Sequence, residues 1–262
     1  MAVQITLRGV NFGNSALPVV GNMIRSGLRG AWRFGGGYES AADLSGNESI
    51  LIEKGQVSFT PEGVLGDLDN GFDTGLEPTV ERTFIAVFRV PSSVVDLTQH
   101  NAMIIGNYTD ASERAGGCIW LDDVPTSVNA QSHFYDAALT ENNYNGSSNL
   151  KLEYGSESEY QWLFVASVVT ATKQWAYFPT QKKLGGATDY LDGGNQDYAS
   201  RTVSPHSIEL LSVPDSSWGR SLDSVVELSE VLIYDRALSL DEVKKQYEYS
   251  KDYHLKVKGI VI

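Results

Sequence analysis

The sequence is short of cysteine, of basic clusters and of long apolar runs, and each shortage removes a class of answers. One cysteine, Cys118, in 262 residues excludes a disulfide framework within the chain. It follows Gly116-Gly117 and precedes Ile119-Trp120, with no His and Asn/Asp arrangement to make it a nucleophile, so it reads as a small buried hydrophobe. The 20 Lys and Arg face 33 Asp and Glu, a formal net charge of −13, and no Lys/Arg cluster with interleaved aromatics occurs. Such a surface repels phosphate backbones, so no nucleic-acid partner is expected. No apolar run approaches the roughly 20 residues of a membrane span, so no membrane insertion is expected. The start, Met1 to Arg8, has no basic region ahead of an apolar core and no small-residue cleavage pattern. Synthesis in the cytoplasm without a signal peptide is the expectation.

Catalytic signatures are missing too. No Gly-x-Ser-x-Gly elbow occurs. His100, His133, His206 and His254 sit in polar or turn contexts without metal spacing, and a surface or capping role is expected of each. A glycoside hydrolase needs two carboxylates at a set separation. Glu227 with Glu230, and the set Glu153, Glu157 and Glu159, read instead as solvated faces and turn acids.

What is present is β-structure. Arg82 to Val90 and Trp162 to Val169 are apolar at nearly every position and read as central strands covered on both faces. Lys173 to Phe178 pairs with the second across Thr170-Ala171-Thr172. Leu28 to Phe34, Val57-Phe59, Ala102 to Tyr108, Gly117 to Leu121, Leu150 to Tyr154 and Ser207 to Leu211 add short strands, with a weak one near His133-Phe134-Tyr135. Val226 to Tyr234 is the last strand. Its parity slips between Leu228 and Val231, which a bulge at Ser229–Glu230 would explain. Ser239-Leu240-Asp241-Glu242 is a capping box that starts a helix with Leu240, Val243 and Tyr247 on one face. About a dozen short strands without βα alternation predict a two-sheet antiparallel sandwich. Residues 1–26 read as an N-terminal arm, either a first strand or a segment that docks on another subunit, and residues 27–262 as the sandwich.

Three stretches resemble the laminin-G-like, concanavalin A-like jelly-roll family: Glu230 to Ser239 with Glu242-Val243 and Tyr247, the Trp32 strand with the Asp43-Leu44-Ser45-Gly46-Asn47 turn, and the Trp162 hairpin. Pro179-Thr180-Gln181-Lys182 departs from the Asn-Gly usual after that hairpin. The resemblance implies an all-β jelly-roll sandwich with a short C-terminal helix packed at its edge. It also implies non-enzymatic recognition, with calcium often held near the rim. An acidic, Tyr/Asn/Gly-rich chain of this family resembles a bacteriophage or prophage virion component, such as a tail-fibre, receptor-binding or decoration protein. That implies host-surface glycan and other virion subunits as partners, with a homotrimer as the assembly. A polysaccharide hydrolase or lyase, and a purely structural coat protein, are the alternatives.

Two kinds of site follow from residue chemistry. Asp67, Asp69, Asn70 and Asp73, with Gly71 for a bend, offer the hard oxygens that Ca²⁺ takes. Asp189, Asp192, Asn195 and Asp197 form a looser second set in what reads as a loop. A sugar needs an exposed aromatic plane beside polar side chains. Trp32, Trp162 and Trp175 lie in apolar strands and read as core, whereas Trp218, Tyr108, Tyr144 and Tyr190 lie in polar loops and are the candidate ligand contacts.

Overall fold

Two core strands, each apolar on both faces, need cover on both sides, and the architecture supplies it. A computed structural model describes residues 22–91, 102–107, 116–122, 127–133, 148–153, 161–179, 190–195, 203–214 and 225–262. Its strands, in chain order, are β1 (Leu28–Arg33), β2 (Ile52–Lys54), β3 (Ser58–Phe59), β4 (Val64–Gly66), β5 (Gly71–Asp73), β6 (Arg82–Arg89), β7 (Ala102–Gly106), β8 (Gly116–Asp122), β9 (Ser127–His133), β10 (Ser148–Glu153), β11 (Leu163–Val169), β12 (Lys173–Tyr177), β13 (Tyr190–Asn195), β14 (Glu209–Leu210) and β15 (Val226–Tyr234). Helix α1 (Leu240–Tyr253) follows and ends in a π-helical turn, His254–Lys258. No helix among the described residues is long and apolar enough to cross a membrane.

The strands form two antiparallel sheets. One runs β13-β12-β11-β6-β15-β4-β3, with β1 also paired to β15; the other runs β10-β9-β8-β7-β14-β5-β2. The molecule is an all-β, two-sheet jelly-roll sandwich with one C-terminal helix. Side-chain alternation on β6 explains the layering. Phe84, Ala86 and Phe88 enter the core between the sheets, with Trp32, Phe72, Ile119 and Val165. Ile85 and Val87 point the other way, into a second core with Phe164, Trp175, Tyr177, Val243 and Leu238. The helix therefore covers the outer face of the eight-stranded sheet, not the edge of the sandwich. Phe164 and Tyr177 meet Tyr247 of α1 at ring centroid distances of 5.2 and 6.1 Å.

The bulge falls where the parity slip predicts. The β15–β6 register shifts between Leu228 and Glu230. Leu228 before it and Val231 after it both stay in the inner core. The capping box is present: Glu242 N–H donates to Ser239 Oγ at 3.3 Å, and Ser239 N–H donates to Glu242 Oε2 at 2.9 Å. Arg236 grips the same carboxylate through two nitrogens at 3.0 and 2.6 Å and is the main reason Glu242 is held near pKa 2.

Several expectations fail for identifiable reasons. Gly71, expected to serve a bend, opens the strand Gly71–Asp73 instead, and the acidic stretch from Asp67 is a hairpin turn. Tyr190–Asn195 is likewise a strand, its backbone paired with β12, not a loop. Glu227, Glu230 and His254 are buried rather than solvated. The bulge turns Glu230 outward under the helix layer, opposite Arg33 on β1. Arg33 Nη2 lies 3.0 Å from Glu230 Oε1, and His254 Nε2 lies 3.2 Å from Oε2. Nearby, Arg89 bridges Glu227 and Glu62 at 2.6 Å each. Burial pushes the Glu230 carboxyl upward, but Arg33 and His254 outweigh it and hold it at about 2. Cys118 is buried, as expected, and burial raises its thiol to about 12. Of the arm, residues 22–26 are described: Met23 is buried in the second core, and Ile24 N–H donates to Gln246 Oε1 at 2.9 Å.

Candidate recognition groove at the sandwich rim

Strands β2 and β3 are the outer edges of their respective sheets and are joined by Gly55-Gln56-Val57, so the two layers meet at one rim. There the chain leaves β1 through Phe34-Gly35-Gly36-Gly37 and makes a single 3₁₀ turn, Tyr38–Ala41. Gly35 and Gly36 have φ of +144° and +90°, open to glycine and strained for other residues. Ser40 closes the turn: its hydroxyl accepts from Gly35 N–H at 3.1 Å and donates to the Gly37 carbonyl at 2.5 Å.

This turn presents Tyr38, whose surface is 62% exposed. The ring is nevertheless rooted. Phe34 stacks on Phe72 at 5.8 Å, Phe72 meets Phe59 at 6.5 Å, and Phe59 meets Tyr38 at 5.2 Å. An aromatic ladder thus climbs from the fully buried core to the surface. The Tyr38 hydroxyl donates to Glu53 Oε2, which raises the pKa of the phenol and lowers that of the carboxyl. Glu53 is itself fixed, its Oε1 accepting from Val57 N–H at 3.1 Å.

The opposite wall is the Asp43-to-Leu51 segment, which Asp43 organises. Its Oδ1 accepts from the N–H groups of Ala31 and Ser45 at 3.0 and 2.8 Å, and its Oδ2 from Ser45 Oγ and Ser49 N–H at 2.6 and 3.0 Å. Asn47 Nδ2 donates to the Leu28 carbonyl at 2.7 Å. The Asp-x-Ser-Gly-Asn turn is therefore pinned along β1. Glu48 is held at φ 59°, a left-handed conformation unusual for its type.

Between the walls lies an open groove of about 420 Å³, lined by Tyr38, Glu39, Asp43, Glu48, Ser49 and Ile50, with Ala41 and Leu51 beneath, both packed on the inner core. Its size is that of a small-ligand site. Ile50, 77% exposed, adds an apolar rim. The arrangement offers a ring face, an aliphatic edge and carboxylate acceptors in one place.

Of the residues singled out in the sequence, the acidic set at Asp67 to Asp73 lies elsewhere. Tyr108, Tyr144 and Trp218 fall outside the described residues, and of Tyr190 only the backbone is described. In the acidic hairpin turn, Asp67 Oδ1 accepts from Asp69 N–H at 3.0 Å and Asn70 Nδ2 at 2.7 Å, while Asn70 Oδ1 accepts from Gln56 N–H at 2.7 Å. Asp73 stands apart on β5, where Oδ1 accepts from Gly75 N–H and Ser207 Oγ at 2.8 and 2.6 Å. These oxygens thus close local turns and tie neighbouring segments together. Among the described residues no group of three or more His, Cys, Asp or Glu side chains is disposed to hold a metal ion. A run of three glycines ending in an aromatic was the signal for Tyr38.

No family model matches the sequence, and no curated protein matches it. Solved structures do match by fold. The botulinum neurotoxin serotype D binding domain superposes with a TM-score of 0.59 at 10% identity, over 86% of this chain and 51% of that one. The serotype G binding domain gives 0.59 at 14% identity, over 86% and 51%. A serotype D ligand-binding domain in complex with N-acetylneuraminic acid gives 0.59 at 9%, again over 86% and 51%. The chain therefore spans about half the length of these domains, and what it shares with them is the sandwich fold.

Proposed function

We propose that the protein is a non-enzymatic recognition module that binds a saccharide in the Tyr38 groove. The observation that carries this reading is a solvent-exposed tyrosine ring, fixed from below by Phe59 and at its hydroxyl by Glu53, beside a small-ligand-sized groove. A pyranose presents a C–H face that packs on such a ring and hydroxyls that seek acceptors such as Glu39 and Glu48. Fixing the ring beforehand lowers the ordering cost of binding. The likeness to receptor-binding domains, one of them holding a sialic acid, supports carbohydrate as the ligand class.

A hydrolase reading fits the groove less well. The acid of a glycosidase needs a shielded site that favours its protonated form, whereas Glu39 and Glu48 stand in solvent. Attachment to a virion, with trimeric assembly, rests on composition and family resemblance alone. A glycan array probed with the whole chain tests the reading. Binding to defined saccharides that Tyr38→Ala abolishes is the expected result. An array without signal, or binding indifferent to Tyr38→Ala, would reject it. Reducing-end release from a bound polysaccharide would make the protein an enzyme instead.

A further inference from the structure

Charge narrows the ligand further, on the condition that the groove is a saccharide site. Among the described residues three acids line it and no Lys, Arg or His does. Asp43 is spent on its four donors. Glu39 and Glu48 are exposed, and neither carboxylate has a hydrogen-bond or ion-pair partner among the described residues. The Glu39 carboxylate lies back over Gly37, where an added Cβ would come within 2.8 Å of Oε2. Two carboxylates without a partner among the described residues thus line the same groove as the exposed ring, on a chain of net charge −13.

We propose that the groove selects saccharides carrying a free amine, of which a β-linked glucosamine oligomer is the simplest, and rejects sialylated ones. A protonated amino sugar stacked on Tyr38 meets a π face and two carboxylates, all of which favour a cation. Sialic acid brings a carboxylate into the same field, with no cation among the described lining residues to receive it. Like charges brought together without a counter-charge oppose binding. The long-range field of the acidic surface adds to the bias by steering cations inward. The selected ligand is thus opposite in charge to the sugar held by the serotype D domain.

Calorimetric titration of the whole chain with the glucosamine tetramer, its N-acetylated counterpart and sialyllactose tests this. The amine oligomer should bind about tenfold tighter than the acetylated one, the order expected of two exposed ion pairs. That gap should close in 0.5 M salt and in the Glu39→Gln/Glu48→Gln double variant, while sialyllactose should not bind. Equal binding of the two oligomers, lost in Tyr38→Ala, would overturn the amine preference and leave the saccharide reading intact. Tighter amine binding that survives Tyr38→Ala would mean bulk electrostatics and overturn the proposal. Binding of sialyllactose would overturn it as well. Failure of all three sugars would overturn this inference, with the array deciding the broader reading.

Discussion

Two acid-bearing regions of the molecule differ in almost every respect. Under the helix, Glu230 is fully buried and each of its oxygens is met, by Arg33 and by His254. Lys258 joins them from the π-helical turn, donating to the carbonyls of Phe34 and Glu62 and to Ser229 Oγ at the bulge. At the rim, Glu39 and Glu48 stand in water, with no partner to neutralise them among the described residues. Burial demands partners, because an unpaired charge out of water is strongly destabilising. Exposure permits idle charge, which stays free for a ligand. The first region holds the fold together and the second leaves it something to bind with.

The sharpest way to break this contrast is to remove an acid from each region. Glu230→Ala leaves Arg33 buried without its counter-charge and should cost about 3–5 kcal/mol in urea denaturation. Glu39→Gln and Glu48→Gln should leave the unfolding midpoint unchanged. Similar midpoints for all three variants would erase the distinction. Tyr38→Ala tests the other half: saccharide affinity should fall more than tenfold, as for a central aromatic anchor, with far-ultraviolet dichroism unchanged.

The buried region also predicts a pH dependence. Burial draws the Lys258 amine down to about 7, with Arg33 adding to the effect. Between 7 and its ordinary value the unfolded chain holds a proton that the folded chain has released, so stability rises with pH there. The buried Cys118 thiol, raised to about 12, opposes this above its ordinary value of 9. The clean window is therefore pH 7 to 9, over which stability should rise by on the order of 1 kcal/mol per pH unit. Lys258→Met should flatten the profile. On the acid side, burial lowers the His254 pKa below 6.5 and its partners hold Glu230 near 2, so stability should fall as pH drops through both windows. A profile flat from 7 to 9 in the unaltered chain would contradict the lysine assignment. Smallest of all, Ser239→Ala should cost about 1 kcal/mol through the lost cap, read by thermal unfolding; no shift would contradict the cap.

Much of the sandwich was legible in the chain because it rests on local periodicity. The doubly apolar runs around Phe88 and Phe164 announced strands covered on both faces, and the layer outside them proved to be the helix. The slip between Leu228 and Val231 placed the bulge, and Ser239 with Glu242 placed the helix start. The buried charges were harder to see. Glu230 and His254 look solvated until the helix is laid over the sheet, although Arg33, alternating with Trp32 and Phe34, was a clue to a paired partner. The groove was harder still. Tyr38 matters because Phe59, Glu53 and the Asp43 turn converge on it from separate segments, and no window of sequence displays that convergence.

The most direct measurement is a ¹⁵N–¹H correlation titration of the whole chain with the glucosamine tetramer. Shifts confined to amides of residues 36–42 and 48–51, saturating with ligand and absent in Tyr38→Ala, are the predicted result. Saturating shifts that map to any other face of the sandwich would contradict the assignment of this rim as the recognition site, and no shifts at all would contradict the amine preference.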